Sequence, residues 1–347
     1  MIEPIVCVPA RNEAKRLPHL LRSLRQQTWL RENTKSLRTV IVLNNCDDDS
    51  ASILRRIVGE LPQLSVHLIE RRFAPRHAHV GSARRLAMDR GFALAPNNSV
   101  LLTTDADAIP RHDWIDANLR AISDGADLVG GYIIGDKDEE ALLGPGFVRR
   151  AARHLYYARL VDRLTSLVRP IPHDPWPRHC DHTGASLAVR REVYAAVGGM
   201  PALPFREDLA FVERVCRAGF RLRHSLDVQV TVSARLDGRA AGGMSDCLKA
   251  WLAAEESGLP HLVEDPQAII VRLQQNRAPA AVIRLPVDED RLRPKSGVDH
   301  NGILANRASE SVEIELAINE LRRIIADKEG EAHVRGSATL DFLQRVD

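Results

Sequence analysis

The sequence Leu101-Leu102-Thr103-Thr104-Asp105-Ala106-Asp107-Ala108-Ile109-Pro110 decides the fold class. The apolar run that leads into it from Val100 is typical of a buried strand, and Pro110 prevents regular strand pairing from continuing. Asp105 and Asp107 then follow the strand at the carboxyl edge of a sheet, where ligands bind in open α/β proteins. Carboxylates at this spacing can share a hard divalent cation with a phosphate ligand. Asp is also common in turns and at helix N-caps, so this alternative stays open.

Apolar runs of strand length alternate with helical patterns through the first part of the chain. We predict strands at residues 5–8, 39–43, 66–69, 100–102 and 127–134. The leucines at positions 17, 20, 21 and 24 recur at helical spacing after the first strand. This alternation predicts βαβ units with right-handed crossovers, and therefore an α/β fold with a mostly parallel sheet flanked by helices.

Composition limits the classes of function. Hydrophobic residues make up 44% and charged residues 27% of the 347 residues, which is ordinary for a globular protein. The formal net charge of +2 gives no general attraction to nucleic acid or membranes. Five scattered cysteines without a Cys-x-x-Cys pair favour reduced thiols, and no apolar run has the length of a transmembrane segment. We expect a cytoplasmic protein without a nucleic-acid partner.

The pattern changes near Met244, where short helical segments broken by prolines begin. We therefore predict one α/β domain over residues 1–243 and a mainly helical region over residues 244–347. The second region is expected either to complete the acceptor side or to mediate formation of a homodimer. Residues 286–302 are rich in glycine, proline and charge, which favours a flexible loop.

Five segments occur in an order that resembles one enzyme family. They are residues 9–13, 44–49, 81–91, 105–107 and the stretch from Gly184 to Asp208. Together they resemble the family 2 glycosyltransferases of the GT-A (Rossmann-like) fold over about residues 4 to 243. The resemblance implies an inverting transfer of a sugar from a UDP- or GDP-linked donor to an acceptor hydroxyl that the sequence does not identify.

The resemblance also implies roles for individual residues. It assigns nucleotide contacts to Pro9, Ala10, Arg11, Glu13 and Asn44. It implies that Asp107 holds Mn²⁺ or Mg²⁺ on the donor diphosphate, while Asp105 contacts the ribose or a metal-bound water. Asp208 becomes the expected general base, and Glu207 is the neighbour that could exchange roles with it. Both acidic residues would also favour the N-terminus of a following helix, so a purely structural role is the alternative.

Two positions depart from the family pattern. Asn44 stands where most relatives have an Asp that contacts the base or ribose, which leaves the nucleotide open. Many relatives place a metal-binding His on the strand after the base, whereas this chain has Thr231-Val232-Ser233. The third metal ligand is therefore open as well.

Three arginines are candidates for contact with phosphate. Arg84 lies in the first turn of a predicted helix, beside amides that suit an anion, although a solvated surface position is the alternative. Arg235 and Arg239 precede Gly242-Gly243 and could clamp a diphosphate in a closing loop, or could lie on a plain surface.

The segment His179-Cys180-Asp181-His182 contains the residue types that bind zinc. Four consecutive residues cannot all face one ion, and no second half of a zinc motif is present, so we favour a loop near the sugar. In that interpretation Asp181 or His182 approaches the acceptor, beside Gly184. Trp176 would stack on a sugar ring or simply pack within the fold.

Two other functions compete with sugar transfer. A sugar nucleotidyltransferase would use a similar sheet, but residues 9–13 lack the glycine-rich, basic phosphate loop that its chemistry needs. A non-catalytic subunit that binds nucleotide sugars is the second alternative, which the absence of the family His keeps open.

Overall fold

The computed structural model of the protein describes residues 2–238, 243–275 and 311–333. In chain order the elements are β1 (Glu3–Ala10), α1 (Leu17–Arg25), α2 (Thr28–Glu32), β2 (Leu37–Asn44), α3 (Ser50–Gly59), β3 (Leu64–Arg71), a 3-10 turn (Pro75–His77), α4 (Val80–Leu94), β4 (Ser99–Thr103), β5 (Ala108–Pro110), α5 (Trp114–Ser123), β6 (Leu128–Gly135), α6 (Lys137–Leu142), α7 (Pro145–Val168), β7 (Leu187–Arg190), α8 (Arg191–Ala196), α9 (Glu207–Arg217), β8 (Leu222–Val232), α10 (Met244–Glu256), β9 (Leu262–Glu264), α11 (Pro266–Gln274), β10 (Ser311–Glu313) and α12 (Ile314–His333).

The main sheet has eight strands in the order β3-β2-β1-β4-β7-β6-β8-β5. Strands β3, β2, β1 and β4 are mutually parallel, and β6 is parallel to β8, whereas β7 and β5 pair antiparallel with their neighbours. Strand β1 is almost continuously apolar because helices cover both faces of the sheet at its centre. The prediction of an α/β fold with a mostly parallel sheet is confirmed.

The strand order fixes where a ligand can reach the sheet. From β1 the chain moves outward through β2 to β3 and then returns to place β4 on the other side of β1. In sheets with such a reversal, ligands usually bind outside the carboxyl ends of the two strands at the reversal, which here are β1 and β4. The residues that follow these strands are Arg11 to Glu13 and Thr104 to Asp107. This expected binding position coincides with two of the predicted site segments.

The chain divides into two compact units. The first contains Met1–Glu139 and Cys180–Gly243, and the second contains Glu140–His179 and Met244–Asp347. The sequence pattern places residues 140–179 in the first domain, whereas in the structure they belong to the second unit. The reason lies in α7, whose Leu160 and Leu164 are buried in a hydrophobic cluster with Ile318 and Leu321 of α12.

The described C-terminal elements are three helices and a two-stranded ribbon formed by β9 and β10, in agreement with a mainly helical region. No helix within residues 2–238, 243–275 and 311–333 combines the length and apolar character needed to span a membrane. Arg239 and the predicted flexible loop at 286–302 lie outside the described residues.

Candidate active site

Arg84 is the centre of a buried network of polar groups. Its side chain is 3% exposed, and α4 places it beside Thr103 at the carboxyl end of β4. The guanidinium donates to Glu207 Oε1 (2.9 Å), Asp105 Oδ1 (2.7 Å), Thr103 Oγ1 (3.0 Å) and the carbonyl oxygen of Gly184 (2.8 Å). The charges of Asp105 and Glu207 raise the pKa of Arg84 against the opposing effect of burial.

Gly184 is part of the same network through its backbone. A Cβ atom at this position would overlap the guanidinium of Arg84, so only glycine lets the chain approach this closely. The amide of Gly184 donates to Asp208 Oδ2 at 2.6 Å. One glycine therefore links the buried arginine to the predicted general base.

Glu207 and Asp208 begin α9 but have different surroundings. Arg206, immediately before them, has a φ of 54°, so the chain enters the helix through a left-handed residue. Glu207 is buried on Arg84, and burial raises its pKa. Asp208 is only partly buried and accepts from the amide of Gly184. Asp208 is thus the more accessible of the two carboxylates.

Asp107 and Glu13 share a second arginine. Arg235 Nη2 lies 2.8 Å from Asp107 Oδ2, and Arg235 Nη1 donates to Glu13 Oε2 at 2.7 Å. The register explains the meeting, because β5 pairs with β8 such that Ala108 opposes Val232. Burial, followed by the charge of Asp105, raises the pKa of Asp107 to about 6.

Asn44 ends β2 with a buried side chain. Its Nδ2 donates to the carbonyl oxygen of His79 at 3.2 Å, which fixes the orientation of the amide because a carbonyl can only accept. Its Oδ1 has no hydrogen-bond donor among the described residues. Arg11 donates to the neighbouring carbonyl of Ala78 at 3.0 Å. Pro9 and Ala10 are buried at the end of β1.

The predicted sugar-side residues fall into both units. In the first unit His182 Nδ1 lies 3.1 Å from His224 Nε2, and burial raises the pKa of Asp181 to about 6. The amide of Ile133 donates to Asp181 Oδ2 at 3.3 Å. Trp176 belongs to the second unit, where the guanidinium carbon of Arg163 lies 4.8 Å from its ring centroid. Its role near a sugar stays a prediction.

The network also contains residues that the sequence analysis missed. Glu139 Oε2 accepts from the hydroxyl of Ser233 (2.7 Å) and from the amide of Ala234 (2.8 Å), which holds the backbone just before Arg235. Thr103 contributes its hydroxyl to Arg84. Nothing in the local sequence pattern marks these residues, because their partners are distant along the chain.

Asp105 and Asp107 are the candidate protein ligands for a divalent cation. Within the described part of the chain, no group of three or more His, Cys, Asp or Glu side chains is arranged to hold a metal ion. Negative charge nevertheless exceeds positive charge around Arg84 and Arg235. Their carboxylate partners, together with Asp208 linked through Gly184, number five against the two guanidiniums: Glu13, Asp105, Asp107, Glu207 and Asp208. Carboxylate oxygens suit Mg²⁺ or Mn²⁺. Asp107 and Asp105 therefore fit a cation whose remaining ligands come from a phosphate and water.

The sequence and structure comparisons give a family. The profile described as Glycosyl transferase family 2 matches residues 5–173. No curated protein matches the chain in sequence. One similar solved structure is the mannosyltransferase PcManGT from Pyrobaculum calidifontis in complex with GDP-Man and Mn²⁺, with 17% identity, coverage of 97% of this chain and 76% of that chain, and a TM-score of 0.46.

Two further solved structures are similar at the same level. S. aureus TarS 1-349 in complex with UDP has 14% identity and a TM-score of 0.46, over 73% of this chain and 65% of that chain. Glucosyl-3-phosphoglycerate synthase from Mycobacterium tuberculosis has 16% identity and a TM-score of 0.40, over 75% of this chain and 81% of that chain. All three TM-scores are below 0.5, so the assignment rests on the family match. Residues 5–173 therefore match glycosyl transferase family 2, and the protein is a glycosyltransferase.

Proposed function

We propose that the enzyme transfers a sugar from a nucleoside-diphosphate sugar to an acceptor hydroxyl, with inversion at the anomeric carbon. The main support for the proposal is that Arg84 contacts carboxylates of two separate predicted segments. This guanidinium contacts Asp105 of the predicted donor segment and Glu207 of the predicted acceptor segment, and Gly184 extends the network to Asp208. Carboxylates from both predicted segments therefore belong to one connected cluster.

Asp208 is the proposed general base. Its carboxylate accepts the proton of the acceptor hydroxyl as that oxygen forms a bond to the anomeric carbon. The bond between the anomeric carbon and the diphosphate breaks at the same time, and its electron pair stays on the leaving oxygen. Gly184 orients the carboxylate by its amide, at 2.6 Å from Oδ2. A positioned base contributes on the order of 10²–10⁴-fold to such a reaction.

The leaving diphosphate needs compensation for its charge. Asp107, together with Asp105, would hold a divalent cation, which when bound acts as a Lewis acid on the phosphate oxygens. We assign Arg235 to bind the diphosphate, because its guanidinium contacts Asp107, the proposed cation ligand. Arg84 is buried and donates four hydrogen bonds to protein acceptors, so we give it a positioning role. Asn44 and Arg11 are the proposed contacts to the nucleoside.

The proposal is tested by hydrolysis of donor in the absence of an acceptor. UDP- and GDP-linked sugars are incubated with Mn²⁺, and release of the nucleoside diphosphate is measured. For the donor that is hydrolysed, Asp208→Asn is expected to lower turnover by about 10²–10⁴-fold. Glu213→Gln is the matched control, because Glu213 lies on the same helix with an exposed side chain.

A thermal-shift measurement with the nucleoside diphosphate and Mn²⁺ separates binding from chemistry. Asp208→Asn should keep the shift, since a ligand of the native state stabilises it whether or not turnover follows. Full turnover in Asp208→Asn would contradict the assignment of the base. Release of pyrophosphate from a nucleoside triphosphate and a sugar phosphate would indicate a nucleotidyltransferase. Binding of the nucleotide sugar without Mn²⁺-dependent hydrolysis would indicate a non-catalytic subunit.

A further inference from the structure

Arg235 lies between two carboxylates that follow different strands, Glu13 after β1 and Asp107 after β4. Nη1 donates to Glu13 Oε2 at 2.7 Å, and Nη2 contacts Glu13 Oε1 as well as Asp107 Oδ2, the latter at 2.8 Å. The side chain of Glu13 is 6% exposed, that of Arg235 is 19% exposed and that of Asp107 is 24% exposed. The guanidinium therefore occupies one oxygen of the carboxylate that is proposed to hold the cation.

The backbone that carries Arg235 is anchored independently of this ion pair. Glu139 accepts from the Ser233 hydroxyl and the Ala234 amide, and the amide of Arg235 donates to the Ser233 hydroxyl at 3.3 Å. The side chain can consequently leave Asp107 by rotation about its own bonds, without unfolding the end of β8. After such a rotation, the guanidinium can still keep one contact to Glu13.

A guanidinium and a divalent cation repel each other at the distance of a shared carboxylate oxygen. Binding of a cation at Asp107 therefore favours release of Arg235 from this carboxylate, which leaves Glu13 as its anionic partner and frees the guanidinium to take a second anion. A nucleoside diphosphate supplies that anion, because arginine forms paired hydrogen bonds to phosphate oxygens. The cation and the nucleotide thus each remove an obstacle to the binding of the other.

We propose that Arg235 and the divalent cation are alternative partners of Asp107, so that the cation binds tightly only together with the nucleoside diphosphate, which accepts Arg235. This inference rests on the proposed function and adds an order of assembly to it. It makes Arg235 a positioning residue that couples the two binding events, in addition to a contact of the diphosphate. Coupling of this kind is reciprocal, so each ligand raises the affinity for the other by the same factor.

The test is a titration of the full chain with Mn²⁺ followed by electron paramagnetic resonance, with and without UDP or GDP. For the wild type we expect the effective nucleotide to raise Mn²⁺ affinity by ~10-fold or more. Arg235→Gln should bind Mn²⁺ alone ~10-fold more tightly than the wild type, and the effect of nucleotide should fall correspondingly. Equal affinity of Arg235→Gln and wild type for Mn²⁺ alone would overturn the inference.

Matched variants keep the result interpretable. Arg221→Gln, which removes an exposed arginine paired with Asp127, should bind Mn²⁺ like the wild type. Arg235→Gln leaves Glu13 buried without its cation and could fail to fold, so Glu13→Gln and the double variant Glu13→Gln/Arg235→Gln are compared as well. The double variant should bind free Mn²⁺ ~10-fold more tightly than Glu13→Gln, and equality would again overturn the inference.

The same experiment distinguishes failure of the proposed function from failure of the competition between Arg235 and the cation. If neither nucleotide promotes Mn²⁺ binding by the wild type, and Asp107→Asn behaves identically, the cation site itself is wrong. If nucleotide-dependent Mn²⁺ binding is present and lost in Asp107→Asn, while Arg235→Gln leaves free Mn²⁺ affinity unchanged, only the competition is wrong.

Discussion

At the scale of single residues, Arg84 determines whether the acidic cluster can exist. It is buried and holds Asp105 and Glu207, so its removal would leave carboxylates without their cation. Breaking a buried ion pair by deleting one partner costs about 3–5 kcal/mol. We expect Arg84→Met to lower the free energy of unfolding by that amount in a guanidinium titration.

The next residue along the chain provides the control for this prediction. Arg85 forms an exposed pair with Asp89 at 3.4 Å, one turn along the same helix. Exposed pairs of this type contribute about 0.5 kcal/mol or less. Arg85→Gln should therefore unfold with nearly the wild-type midpoint, and comparable losses in the two variants would show that the buried network is not the cause.

Asp181 gives a prediction for pH dependence. Burial raises its pKa to about 6 from an ordinary value near 3.8, against the opposing effects of the Ile133 amide and the charge of His224. Between these two values the folded state binds more protons than the unfolded state, so this group lowers stability as pH rises. Asp181→Asn keeps an acceptor for Ile133 and removes the charge. The variant should be more stable than wild type by about 1–2 kcal/mol at pH 8, with a smaller difference at pH 4.

Denaturant unfolding at both pH values measures this effect. The expected sign is a difference that grows from acid to neutral pH and levels off above the folded pKa. A difference that is equal at pH 4 and pH 8 would mean that the charge of Asp181 is compensated in the folded protein.

At the scale of elements, the start of α4 and the loop before α9 constrain each other. A Cβ atom on Gly81 would overlap the backbone oxygen of Leu203, which cannot move as a flexible side chain would. Gly81→Ala should therefore displace the loop that leads to Glu207 and Asp208. We expect a loss of about 1–3 kcal/mol in stability together with reduced donor hydrolysis.

Gly59 is the matched substitution in a helix without such a neighbour. Nothing lies within 4 Å of a Cβ at this position, at the exposed end of α3. Gly59→Ala should raise stability by about 0.5–1 kcal/mol and leave hydrolysis unchanged. If Gly81→Ala behaved in the same way, the proposed constraint on the loop would be incorrect.

At the scale of the whole molecule, each unit has its own hydrophobic core. In the second unit Leu321 of α12 is fully buried with Leu160 and Leu164 of α7. Leu321→Ala should destabilise this unit by about 2–5 kcal/mol, which calorimetry or denaturant unfolding measures. Leu316 on the same helix is 64% exposed, and Leu316→Ala should change stability by no more than about 0.5 kcal/mol. Similar effects of the two variants would contradict the burial of this helix face.

Much of the first unit is determined by the sequence alone. The apolar runs at β1, β2 and β4 mark buried strands, because a strand covered on both faces has no polar alternation. The position of Asp105 and Asp107 after such a strand indicates the ligand edge without further information. Periodicity likewise identifies α12, because apolar residues recur at helical spacing from Ile314 to Ile325. These features depend on short stretches of sequence, where local patterns are sufficient.

Only the tertiary structure decides which charges meet. Arg84 and Glu207 are 123 residues apart in the chain, and Arg235 and Glu13 are 222 residues apart. Their contacts depend on strand order and register, which local patterns of hydrophobicity do not specify. The same holds for α7, whose apolar stripe fits either unit until its partner α12 is known. The sequence therefore determined the strands and the candidate carboxylates, while the fold decided their counter-ions, because ion pairing depends on distance in space.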